Sequence, residues 1–230
     1  MLDDLGLQGI FFVEGLNAEL YPEALLRIAS SGHEFGYHGW RHGYWPGPSP
    51  SQEIQLLERG VNEMDGLGVR PRALRPPGGR LTFSLPKLLE ELGFTHCPPA
   101  GSGIGFLGEL VVLPFEWRLL DAYHYLPRFG GLRKCDTGSN TPISSSRFQE
   151  TLGSALQAVV RDGGHLTLVF HPYLEEQEER FHTMRRSLEE VRALAESGLV
   201  WCAPYRDLAS WVRSHPDHFG AGLELDPSEA

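Results

Sequence analysis

This sequence has too few cysteines to be held together by them. Cys97, Cys135 and Cys202 are odd in number and far apart, and no two form a CxxC pair. That excludes a disulfide framework or a zinc ribbon and fits reduced, structural thiols. Positive charge is also short: 20 Lys and Arg stand against 30 Asp and Glu, giving a net charge of −10. Such a surface offers no match to nucleic acid or to an anionic membrane. No apolar run approaches the roughly 20 residues of a membrane-spanning helix. The opening "MLDDLGLQG" has neither a basic n-region nor an apolar h-region. No signal peptide is read there, and a cytoplasmic location is the default. Walker sequences, a GxGxxG opening a helix and a GxSxG elbow are all absent. The stretches "GSGIGFLGE" and "PPGGR" are therefore not phosphate cradles, and "SSSR" is not a serine-hydrolase nucleophile.

What is present suits one α/β domain. The 230 residues are 41% hydrophobic and 22% charged, enough to bury a sizeable core. Strand signals fall at "GIFFVEG" (9–15), "HEFGYH" (33–38), "RALRPP" (72–77), "FTHC" (94–97), "ELVVLPF" (109–115), "HLTLVFHP" (165–172) and "LVWCAP" (199–204). Helix signals alternate with them at 21–32, 49–68, 84–93, 146–162, 183–197 and 206–213. Alternation of this kind implies βαβ crossovers and a mainly parallel sheet, and the number of units favours a barrel. Residues 1–213 are read as the domain, and 214–230 as a polar, loosely ordered tail.

In parallel α/β folds the chemistry gathers at the carboxyl ends of strands. His38 and His42 follow the strand ending near Tyr37, Arg75 ends the next, and His171 ends "LTLVF"; Trp117 and Asp121 follow "LVVLPF". The strand ends thus deliver His, His, Arg, Asp and His toward one face. Each has a plainer reading on its own. Histidines four apart can grip zinc through imidazole nitrogens, but with ten histidines in the chain the spacing alone is weak. His171 alone reads better as a satisfied histidine closing a buried strand, Arg75 as a tethered turn residue, and Asp121 as a helix cap. Trp40, Trp45, Trp117, Tyr123 and Tyr125 can be core, or can line a cleft that stacks on sugar faces.

Taken in order, the motifs "GHEFGYHGWRH", "RPPGG", "DAYHY" and "LTLVFHP" resemble the polysaccharide deacetylases with the NodB homology domain, carbohydrate esterase family 4, over about residues 9–213. The family's H-[ST]-x-x-H stands here as His-Gly-Trp-Arg-His, and the Asp121 region matches only loosely. The resemblance implies a distorted (β/α) barrel that removes N-acetyl groups from carbohydrate. It implies a divalent metal, zinc above all, on His38 and His42. It implies an oxyanion held by the metal and the Gly78 amide, and His171 as general acid oriented by Asp121. Arg75 would pair with the catalytic base, and Pro77 with the aromatics would line the substrate cleft.

One motif of the family is missing. Its Thr-Phe-Asp-Asp, which supplies the base and the third ligand, has no counterpart. Asp3 and Asp4 stand too close to Phe11 to occupy a separate parallel strand. The expectation is an incomplete barrel without its first strand, a site short of one ligand, impaired activity and an Arg75 without its partner. The exposed edge of the "GIFFVEG" strand would be covered by a second copy of the chain or by the tail. Alternatives are a non-catalytic carbohydrate-binding or scaffold protein on this fold, and a metal-free amidohydrolase on a small cyclic amide.

Overall fold

The structure is a computed structural model that describes residues 1–44, 49–81 and 85–221. Trp45 lies outside the described residues. The chain divides into two compact units: Gln8–Pro114 together with the stretch from Ala203, and Met1–Leu7 together with Phe115–Cys202.

The first unit is built on a seven-stranded sheet. Its elements in chain order are β1 (Ile10–Val13), α1 (Leu16–Leu20), α2 (Pro22–Ser30), β2 (Glu34–Tyr37), α3 (Pro50–Gly66), β3 (Ala73–Leu74), α4 (Leu85–Glu91), β4 (His96–Cys97), β5 (Gly105–Leu107) and β6 (Leu110–Val112). The strand order is β1-β2-β3-β4-β6-β5, and a last strand, Gly220–Ala221, pairs with β5. Neighbours from β1 through β4 to β6 are parallel, which is the sequential winding of a barrel. Strand β5 runs antiparallel to β6, and the last strand runs parallel to β5. Among the described residues the sheet does not close, and β1 has β2 as its one neighbour.

Local chemistry explains these elements. Helix α3 starts at Pro50, whose missing N–H costs nothing at a first turn, and the Ser49 hydroxyl accepts the Gln52 amide at 3.4 Å. Its Leu57, Val61 and Met64 recur at helical spacing and are buried against Tyr37, Leu74 and Leu89. Each such side chain contributes about 1.5–3 kcal/mol by leaving water. Helix α3 also comes close to β2: a Cβ on Gly60 would lie 2.3 Å from the Tyr37 ring. That ring is pinned by its hydroxyl, which donates to the Leu56 carbonyl at 2.8 Å.

The second unit carries α5 (Asp121–Tyr125), α6 (Gly130–Thr137), α7 (Ser145–Asp162) and α8 (Glu178–Glu196). Arg133 is fully buried here, donating to the carbonyls of Leu126 and Asn140 at 3.0 Å each and to that of Tyr123. One guanidinium thereby satisfies the loops flanking α5 and α6, which keeps a buried cation tolerable. The last helix, α9 (Tyr205–Ser214), returns to the first unit and packs Tyr205, Ala209 and Val212 against Val111 and Leu113.

Several elements differ from expectation. "HLTLVFHP" forms a lone parallel bridge, Leu120 with Val169, rather than a strand. "LVWCAP" is irregular, with Leu199 and Trp201 exposed. Neither segment has the continuous partner ladder that a strand needs. The glycine-rich stretch instead makes the β5–β6 hairpin, turned at Gly108 with φ +60°. Within the tail, Gly220–Ala221 form a strand that pairs with β5 and not with the β1 edge. Residues 1–8 form a 3-10 turn at Asp3–Leu5 and no strand.

Candidate active site

In the first unit the parallel register fixes the geometry. Val13 pairs with Tyr37, so the chain leaves β1 and β2 side by side, with Glu14 and His38 as the next residues. The His38 amide donates to the Val13 carbonyl at 2.9 Å. Its Nδ1 lies 2.7 Å from the Arg75 carbonyl oxygen. A carbonyl can only accept, so Nδ1 carries the proton and Nε2 presents a lone pair, the tautomer a metal ligand needs. His42 opens a short 3-10 turn and does not share a helical turn with His38; the two ring centroids are 5.3 Å apart, edge to face. Its amide donates to Glu14 Oε1 at 3.0 Å.

Arg75 is buried, with its guanidinium 4.2 Å above the Phe12 ring. It is hydrogen-bonded to the Tyr205 hydroxyl of α9. Burial pulls its pKa down and the Tyr205 contact opposes that. Pro77 is buried, and Gly78 follows it, exposed, at φ +73°. That left-handed conformation favours glycine, and nothing lies within 4 Å of where a Cβ would sit. Trp40 is half-buried beneath Arg59, whose guanidinium stands 4.0 Å from the ring centroid.

The second unit holds the other candidates. Asp121 begins α5 and is completely buried. Its carboxylate accepts the amides of Ala122 and His171 at 2.5 Å each, and His171 Nδ1 at 2.6 Å. Three N–H donors thus converge on one buried carboxylate, and the bond to Nδ1 orients the imidazole. The His171 side chain keeps 29% of its surface, leaving Nε2 as the nitrogen that Asp121 does not engage. Trp117 sits between Phe115 and Phe129, at ring distances of 5.3 and 5.4 Å. Tyr123 and Tyr125 face inward, the first donating to Asp136 at 2.7 Å and the second packing on Phe148, which leaves little ring face for a ligand.

Thus His38 adjoins His42 and the Arg75 carbonyl in one unit, which also carries Gly78, and Asp121 bonds His171 in the other. Sequence reading missed Glu14, though its place just past β1 was the signal. It also missed Glu175, four residues beyond His171.

The two imidazoles suit a divalent metal, but among the described residues no group of three His, Cys, Asp or Glu could hold one. A catalytic zinc site uses three protein ligands. This set therefore falls short of that number.

The parallel α/β fold and these motifs are similar to those of deacetylases of the NodB type. Residues 1–97 match the family model described as polysaccharide deacetylase. Chitin deacetylase 1 of Saccharomyces cerevisiae is 29% identical over 96 residues, 41% of this chain and 32% of the yeast protein. The peptidoglycan-N-acetylmuramic acid deacetylase PdaC of Bacillus subtilis is 32% identical over 76 residues, 33% of this chain and 16% of its own. The chain thus spans a third or less of these relatives' lengths. Among solved structures, a Mycobacterium smegmatis protein described as a polysaccharide deacetylase superposes with TM-score 0.81 at 29% identity, covering 98% of this chain and 78% of that one. An allantoinase superposes with TM-score 0.76 at 20% identity, covering 94% and 70%, which speaks for the fold alone.

Proposed function

We propose that this chain hydrolyses the N-acetyl amide of an N-acetylated glycan. The observation that carries the reading is the 2.6 Å contact between His171 Nδ1 and the buried Asp121 carboxylate, which turns an imidazole into an oriented acid. In the reaction, water adds its oxygen to the acetyl carbon and gives up a proton to solvent, the C–N bond breaks, and solvent restores the proton that His171 donates. His171 delivers a proton from Nε2 to the departing amine, while Asp121 stabilises the imidazolium before transfer. The Gly78 amide serves the oxyanion, and the buried Arg75 fixes the "RPPGG" turn through its Tyr205 and Phe12 contacts. Pro77, Trp40, Trp117 and the flanking aromatics are the proposed sugar-facing surface, and Tyr123 and Tyr125 support it from within. His38 and His42 are the proposed metal donors, zinc being the ion their nitrogen chemistry suits best. With two donors described, we expect weak retention and slow turnover.

The relatives named for chitin and peptidoglycan support an N-acetylated amino sugar as the substrate class. Acetate release from N-acetylglucosamine oligomers, compared with that by His171→Ala, checks the assignment. Oligomer binding without release would instead favour a carbohydrate-binding protein on this fold. A second reading is metal-free hydrolysis of a small cyclic amide, against which the presence of both His38 and His42 speaks. Turnover of a hydantoin-type ring with none of the oligomer would select it.

A further inference from the structure

Behind Asp121 lies a second carboxyl that the proposed reaction does not use. Glu175 closes the 3-10 turn Pro172–Leu174 that His171 begins, and it is 7% exposed. Both of its carboxyl oxygens are sealed from solvent and meet no hydrogen-bond donor of the protein. Its interacting neighbour is the carboxyl of Asp121.

Two interacting carboxylates offer acceptors and no donor, so they can bond only if one of them is protonated. The partners decide which. Asp121 already accepts three N–H groups, each favouring its charged form. Glu175 accepts none. The proton belongs on Glu175.

We propose that Glu175 is a positioning residue for His171, acting through Asp121 by donating a hydrogen bond to that carboxylate in place of a second negative charge. This rests on the reading of His171 as the reaction's acid.

The remaining groups around Glu175 fit the assignment. Arg180 of α8 attracts it electrostatically, but that guanidinium donates to the Leu174 carbonyl at 3.4 Å and lies 4.4 Å from the Tyr125 ring centroid. Tyr125 of α5 is the other titratable neighbour, held neutral by burial, with its pKa raised to about 12. Burial first, then Asp121, push Glu175 up to about 8 against the pull of Arg180. At neutral pH the dyad therefore carries one charge. Above about 8 Glu175 ionises, Asp121 loses its donor, and two negative charges stand behind His171 in place of one.

The test uses the whole chain with glutamate carboxyl carbons and histidine ring nitrogens labelled for NMR, without substrate. One glutamate should titrate near pH 8 and vanish from the spectrum of Glu175→Gln. The His171 ring nitrogens should shift in the same range in wild type and not in the variant. In acetate release, Glu175→Gln keeps the neutral donor and should match wild type within about twofold at pH 6.5. Glu175→Leu should lose about tenfold or more. The wild-type to Gln ratio should fall as pH rises through 8. Absence of the high-pH glutamate, or a Leu variant that keeps wild-type activity and pH profile, overturns the proposal. Because the NMR arm needs no turnover, failure of the deacetylase reading alone leaves that arm intact.

Discussion

His171 and Asp121 are fifty positions apart in sequence, yet Nδ1 of one lies 2.6 Å from Oδ1 of the other, and the same carboxylate takes the His171 backbone amide at 2.5 Å. The imidazole is gripped at ring and backbone by one buried anion, so it has little freedom to turn.

Replacing Asp121 by Asn should therefore hurt far more than its shape suggests. The amide can still meet one backbone N–H, but it cannot stabilise an imidazolium. Acetate release should fall by about 10²-fold or more while the circular dichroism spectrum stays that of wild type. Release within threefold of wild type would show that His171 works without its carboxylate.

Stability should report the Glu175 proton independently of activity. Its folded pKa is raised from an ordinary 4.5 to about 8 by burial and by Asp121. Between those values the unfolded chain has lost the proton and the folded chain still holds it, so the term's contribution to stability declines as pH rises. The thermal midpoint of Glu175→Gln minus that of wild type should grow between about pH 5 and pH 8 and level off above. A difference that is flat across this range would place no proton on Glu175.

Much of the first unit was legible because its signals are local. "IFFV" and "EFGY" are short apolar runs with glycine stops, and they pair in register as β1 and β2. The serine and proline before α3 act as cap and first turn. The second unit was harder to read. The apolar "HLTLVFHP" looks like a strand whether or not a neighbour offers a ladder, and only Val169 finds one. The helix α6 is organised by Arg133 bonding to distant carbonyls, which no periodicity announces. In the site, His38, His42, Asp121 and His171 could be named because their residue types and order are distinctive. Glu175 could not, since its meaning comes from having no donor beside it, a property of the fold and not of the motif.

The tight approach of α3 to β2 should be sensitive to a single methyl. Gly60→Ala gains helix propensity worth about 1 kcal/mol, but the new Cβ would meet the Tyr37 ring at 2.3 Å. With that ring pinned by its hydroxyl, the net effect should be a loss of about 1–3 kcal/mol in urea unfolding. A stabilised Gly60→Ala would mean the ring moves freely aside.

Zinc binding should follow the imidazoles of the first unit. In calorimetric titration the chain should take up zinc weakly, and His38→Ala and His42→Ala should each abolish the signal. Glu14→Gln, which weakens the acceptor for the His42 amide, should reduce affinity without abolishing it. Equal uptake by wild type and His42→Ala would remove the pair from consideration as a metal site.

The most direct measurement is acetate release from N-acetylglucosamine oligomers with excess zinc, run on wild type and His171→Ala side by side. The account predicts slow but measurable release by wild type, reduced by about 10²–10⁴-fold in the variant, the range that general acid–base catalysis supplies. No release by wild type, or equal release by both proteins, would contradict it.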